Sequence, residues 1–80
     1  MQINEALRQL GLNDKQSLVY TSLLQLGRST AYAVAEKSGL KRPTVYVLLE
    51  ELRRTGAVQK IPYAGKQLFV AKSPDALFQE

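Results

Sequence analysis

There is no cysteine and no histidine in these 80 residues. No disulfide and no thiolate metal site can hold the fold, and the side chains most used for zinc binding and for nucleophilic and acid–base chemistry are largely missing. A Gly-rich phosphate loop and a spaced set of metal ligands are missing too. An enzyme is therefore the poorest reading, and no cofactor or metal is expected. Apolar runs extend over only a few residues and the first turn carries Glu5, which excludes a spanning helix or a signal-peptide core and predicts no membrane partner. Neither a repeat nor a low-complexity tract is present.

What is there suffices for one domain and not for two, so residues 1–80 are expected to share a single modest core, for which 45% hydrophobic residues are enough. The net charge is +4, and its distribution is uneven. From Lys41 to Lys72, seven basic residues (Lys41, Arg42, Arg53, Arg54, Lys60, Lys66, Lys72) stand against two acids (Glu50, Glu51), a local excess of +5. The rest of the chain has four basic residues and five acidic ones. Such an excess favours a polyanion as partner; the plain alternative is a solvated surface.

Ile3, Ala6, Leu7 and Leu10 recur at helical spacing before Gly11, which predicts a first helix over about 2–10. Asn13, with Gln16 three residues on, has the spacing of a capping box, and the apolar stretch through Val19, Tyr20, Leu23, Leu24 and Leu26 predicts a second helix over 13–26. Leu18 lies off that stripe, which places the first helix against its back. Thr30 is read as the cap of a short helix over 30–38, with Ala31, Val34 and Ala35 as a small-residue face ending at Gly39. Pro43 sits in the first turn of the next helix, over 42–55. Val45, Leu48, Leu49 and Leu52 form its inner stripe, and Arg53 and Arg54 precede Gly56.

The period then changes from helical to extended. Residues 57–61 and 67–71 read as two strands around a Gly-containing loop from Pro62 to Lys66. Alternation that turns Phe69 and Ala71 inward turns Leu68 and Val70 outward, which leaves two exposed apolar side chains. Ser73 and Pro74 look like the start of a further helix. A well-capped helix that stops so soon fits a domain cut from, or related to, a longer protein.

Helix, tight turn, helix and hairpin make a mainly α, α+β arrangement: the winged helix-turn-helix. In that fold a helix pinned by its apolar face offers its other face to the major groove of double-stranded DNA. At 100° per residue, Pro43, Val47, Glu50 and Arg54 point outward, with Thr44 and Tyr46 on the flanks. Glu50 and Glu51 would be repelled by phosphates, which limits groove contact to the N-terminal turn. Lys41, Arg42, Thr44, Tyr46 and Val47 are therefore the candidate contacts, with Arg42 open to a guanine edge or to a phosphate. Thr30, with Ser29 and Tyr32 beside it, is either a cap alone or also a phosphate site. Lys60, Tyr63, Lys66 and Gln67 place charge and a ring at the wing, where Tyr63 is equally well an ordinary turn residue.

Leu10-Gly11-Leu12 through Gly27, Thr30-Ala31 through Ser38-Gly39, Val45-Tyr46, Leu52 and Gly56-Ala57-Val58 together resemble the N-terminal domain of the TrmB family of prokaryotic, sugar-responsive transcriptional regulators. The resemblance implies DNA contact from Arg42, Thr44, the helix start at Thr30 and the wing near Lys66. It also implies a following dimerising helix and an effector-binding domain, neither of which lies in these residues. Two positions depart from the family pattern. Ala33 stands where an acid often completes a capping box with Thr30, and Pro43 where a small polar residue is usual. The expected function is sequence-specific DNA binding for transcription regulation, in the cytoplasm at the nucleoid, with a possible homodimer through the terminal helices. The competing reading, favoured by Leu68, Val70 and the Glu50-Glu51 pair, is a winged helix that binds another protein.

Overall fold

A computed structural model describes residues 7–9 and 11–73. Three helices, α1 (Asp14–Leu26), α2 (Ala31–Ser38) and α3 (Arg42–Thr55), are followed by an antiparallel hairpin of β1 (Val58–Tyr63) and β2 (Lys66–Ala71). Residues 7–9 are helical as well. The rest of the first helix expected over 2–10, and the helix expected from 74, lie outside the described residues.

Each helix starts where its sequence can satisfy free amides. The Asn13 side chain accepts from the Gln16 amide at 2.7 Å, and the Gln16 side chain accepts from the Asn13 amide at 3.0 Å, which completes the capping box. The Thr30 hydroxyl accepts from the Ala33 amide at 3.2 Å. With alanine at 33, α2 has only that half of a box. Lys41 makes no side-chain cap bond, and Pro43 sets the first turn of α3 instead. Between α2 and α3, Gly39 adopts φ +79°, and only two further residues separate the helices.

The core is where the sequence stripes converge. Tyr20, Leu23, Val34, Val45, Leu49 and Leu52 have no exposed surface, and Leu7 joins them. Leu7 turns into this common core, and Leu18, expected to be covered by the first helix, stays 39% exposed. The Tyr20 hydroxyl donates to the Lys72 carbonyl at the end of β2, and burial raises its pKa. This ties the end of the hairpin to the middle of α1.

The hairpin is longer and tighter than the sequence suggested. Its strands run to Tyr63 and from Lys66, leaving a two-residue turn, Ala64-Gly65, with φ +50° and +78°. That pair of positive values is the type I′ arrangement, whose twist matches the flanking strands. Pro62 therefore lies inside β1, opposite Gln67, where an edge strand tolerates its missing amide hydrogen. Alanine is a poor residue for the left-handed region and asparagine a good one. Ala64→Asn should raise stability by roughly 0.5–1 kcal/mol, read as a higher midpoint in thermal unfolding.

Leu68 and Val70 are half-buried rather than exposed. Leu68 pairs across the strands with Ile61, and Val70 with Gln59, so each outer-face side chain is partly covered by its cross-strand neighbour. The other face turns Val58 and Phe69 into the core. A third segment joins the sheet: the Ser29 amide donates to the Phe69 carbonyl at 3.0 Å, and the Phe69 amide donates to the Ser29 carbonyl at 2.7 Å. Through this bridge β2 is held beside the start of α2.

Candidate nucleic-acid interface

One groove of about 300 Å³ lies where α2, α3 and the wing meet. Thr30, Ala31 and Tyr32 form its α2 side, Arg42 and Tyr46 its α3 side, and Lys66, Gln67 and Phe69 its wing side. The Arg42 guanidinium carbon stands 5.5 Å from the centroid of the Tyr32 ring, a cation–π contact that holds the charge against the wall. None of the three ion pairs among the described residues involves Lys41, Arg42 or Lys66. These cations, all exposed, face outward without a carboxylate to neutralise them.

Most of the candidate contacts come together here. Thr30, Tyr32, Arg42, Tyr46 and Lys66 line the groove, with Lys41 just before the first turn of α3. Thr44 is half-buried on α3, whereas Val47 is 58% exposed on it. Tyr63 is exposed at the wing tip opposite Lys66. Two candidates sit differently. The Ser29 hydroxyl is buried without a hydrogen-bond partner, and that residue works through its backbone bridge to Phe69. Lys60 lies in another notch, with Arg53 and Lys72, at the C-terminal end of α3. Phe69, which its pattern marked only as core, also lines the groove. Neither this double role nor the Arg42–Tyr32 contact had a signal in spacing, because both depend on elements that meet only in the fold.

The acids of α3 are engaged within the protein. The Glu50 carboxylate accepts from Arg53 Nε at 3.1 Å and from Arg53 Nη2, and Arg54 Nε stands 3.6 Å away. The Arg53 hydrogen bond, with the charge of both arginines, holds the Glu50 pKa below the usual carboxylate range, and the same bond raises that of Arg53. Glu51 accepts from Gln16 Nε2 of α1 at 2.9 Å. The exposed Glu50 cluster contributes little to stability, but it reduces the repulsion that a bare acid would exert on phosphate.

The family model described as sugar-specific transcriptional regulator TrmB matches residues 7–75. The chain belongs to the TrmB family. Among its relatives, the HTH-type sugar sensing transcriptional regulator TrmBL1 of Pyrococcus furiosus is 32% identical over 79 residues, which is 99% of this chain and 23% of the relative. The TrmB-family chain thus spans about a quarter of that relative's length. Among solved structures, S. aureus MepR in complex with DNA superposes with a TM-score of 0.74 at 21% identity, over 94% of this chain and 65% of that one. The homodimeric winged helix-turn-helix DNA-binding domain Mb0332 of Mycobacterium bovis superposes with a TM-score of 0.68 at 21% identity, over 94% and 71%. These likenesses establish the winged helix-turn-helix fold for this TrmB-family chain.

Proposed function

We propose that this TrmB-family chain is the DNA-binding part of a transcriptional regulator, with the first turn of α3 in the major groove and the wing on the backbone or adjacent minor groove. The observation that carries the reading is the convergence of two exposed cations without ion-pair partners, Arg42 and Lys66, on the groove at the capped start of α2, with a third, Lys41, next to Arg42 in the chain. Thr30 accepts from one first-turn amide of α2; others there suit a phosphate oxygen. In this reading Thr44, Tyr46 and Val47 face the bases, Arg42 meets a guanine edge or a phosphate, and Lys41, Tyr63 and Lys66 serve the backbone. Two such domains on half-sites one helical turn apart would supply the affinity that one module lacks, and the terminal helices are the proposed dimer contact. Among the described residues no helix is long and apolar enough to cross a membrane, and a place at the nucleoid follows from the DNA reading.

The protein-adaptor reading loses the features that favoured it. Leu68 and Val70 are half-buried, and Glu50 and Glu51 are each bonded within the fold.

Fluorescence anisotropy of a labelled duplex at 50 and 200 mM salt tests the proposal. With about four phosphate contacts, affinity should fall roughly a hundredfold across that interval. A folded protein that leaves the duplex unbound at low salt would refute it.

A further inference from the structure

We infer that this interface reads thymine methyl groups through Val47, an inference that rests on the DNA reading above. Val47 is 58% exposed, the most exposed of the large aliphatic side chains among the described residues. Nothing in the fold accounts for it. A β-branched residue in a helix interior is a weaker helix former than most, and here it packs into no core. At 100° per residue Val47 lies in one outward row with Pro43 a turn before it and Glu50 a turn after it.

That row offers no polar group to a base until Glu50, whose carboxylate is taken up by Arg53 and Arg54. Arg42 and Tyr46 lie to one side, on the groove. The middle of the face therefore presents an isopropyl group, with Lys41 and Arg42 at the start of the helix and Arg54 in its last turn. A protein partner whose apolar surface covered this helix face would also meet Lys41 and Arg42 at the start of the helix; a duplex would neutralise them.

In the major groove every base pair shows hydrogen-bonding edges, and thymine alone adds an apolar group, its C5 methyl. An isopropyl group pressed against guanine, adenine or cytosine edges strips water from polar atoms and returns no hydrogen bond. Against a thymine methyl it buries apolar surface on both sides. The side chain thus selects thymine by chemistry it shares with that base and withholds from the others.

The test begins with selection of duplexes from a random-core library on this chain. The enriched duplex is then remade with deoxyuridine for thymine, one position at a time, and titrated with the protein and with Val47→Ala. Thermal unfolding serves as the control that the variant folds. At one or two thymines per half-site, loss of the methyl should weaken the unmodified protein about fourfold, the worth of one buried methyl-sized group. Val47→Ala, itself weakened by a similar factor, should bind both duplexes equally at those positions, which is the signature of a direct pairwise contact. If no sequence is enriched, if no thymine matters, or if the penalty is the same in Val47→Ala, methyl reading is overturned while salt-sensitive DNA binding stands. Failure to bind any duplex at low salt overturns the DNA reading itself, and this inference with it.

Discussion

Lys41→Ala combined with Arg42→Ala should weaken duplex binding by roughly ten- to a hundredfold and leave the protein folded, because a charge-assisted contact to phosphate or to a guanine edge contributes about 1–3 kcal/mol. The fold loses little. Both side chains are exposed, Lys41 makes no cap bond, and the Arg42–Tyr32 contact contributes only about 0.5–1 kcal/mol at such a site. The salt dependence should change with the affinity: if both residues meet phosphates, the slope of log K against log salt falls by about 2. The single variants then divide the roles. An Arg42→Ala protein that weakens equally on all duplexes assigns Arg42 to the backbone, whereas relaxed preference at one guanine assigns it to a base. Anisotropy on matched duplexes reads both, with circular dichroism to confirm the fold. Unchanged affinity in the folded double variant would remove these two residues from the interface.

The elements that could be read from the sequence are those fixed by local chemistry. Asn13 with Gln16, Thr30, Gly39, Pro43 and Gly56 each satisfy or terminate a helix by interactions within a few residues, and their helices begin or end where those residues stand. The stripe Val45-Leu48-Leu49-Leu52 is periodic, so its burial follows from helical geometry. The hairpin was harder. Ala64 does not announce a positive φ as asparagine or glycine would, and Pro62 suggested a loop where there is an edge strand. Burial of Leu68 and Val70 depends on which residue stands across the strand, which alternation alone cannot supply. At the interface the same division holds. Arg42 and Lys66 were visible as charges, but their convergence depends on the Ser29–Phe69 bridge, a pairing of residues 40 apart in the chain. Lys60 shows the converse: it counts toward the same basic stretch, yet β1 carries it to the far end of α3.

Phe69→Ala should be the most damaging single change to the wing, at about 3–5 kcal/mol. A domain of this size has of order 5–15 kcal/mol in total, so the loss is a large share. Phe69 is 5% exposed among core side chains, its backbone makes both bonds to Ser29, and its flank lines the groove beside Lys66 and Gln67. One residue therefore joins the hydrophobic core, the third rung of the sheet and the wall of the interface. Removal of the ring leaves a cavity under β2, and the midpoint of thermal unfolding should fall by roughly 12 °C or more. The damage should be uneven below that midpoint. Amides of β2 should exchange with deuterium faster relative to those of α1 than in the unmodified protein, because Phe69 is β2's own anchor in the core while α1 also packs on α2 and α3. Phe69→Leu, which refills most of the space, should recover much of the stability. A Phe69→Ala protein that melts within two degrees of the original would show that the two Ser29 bonds and the Tyr20–Lys72 bond hold the wing without the ring. If it melts early but still binds DNA at a temperature where it is folded, then Lys66 reaches the backbone without a fixed wing, and the interface rests on the first turn of α3.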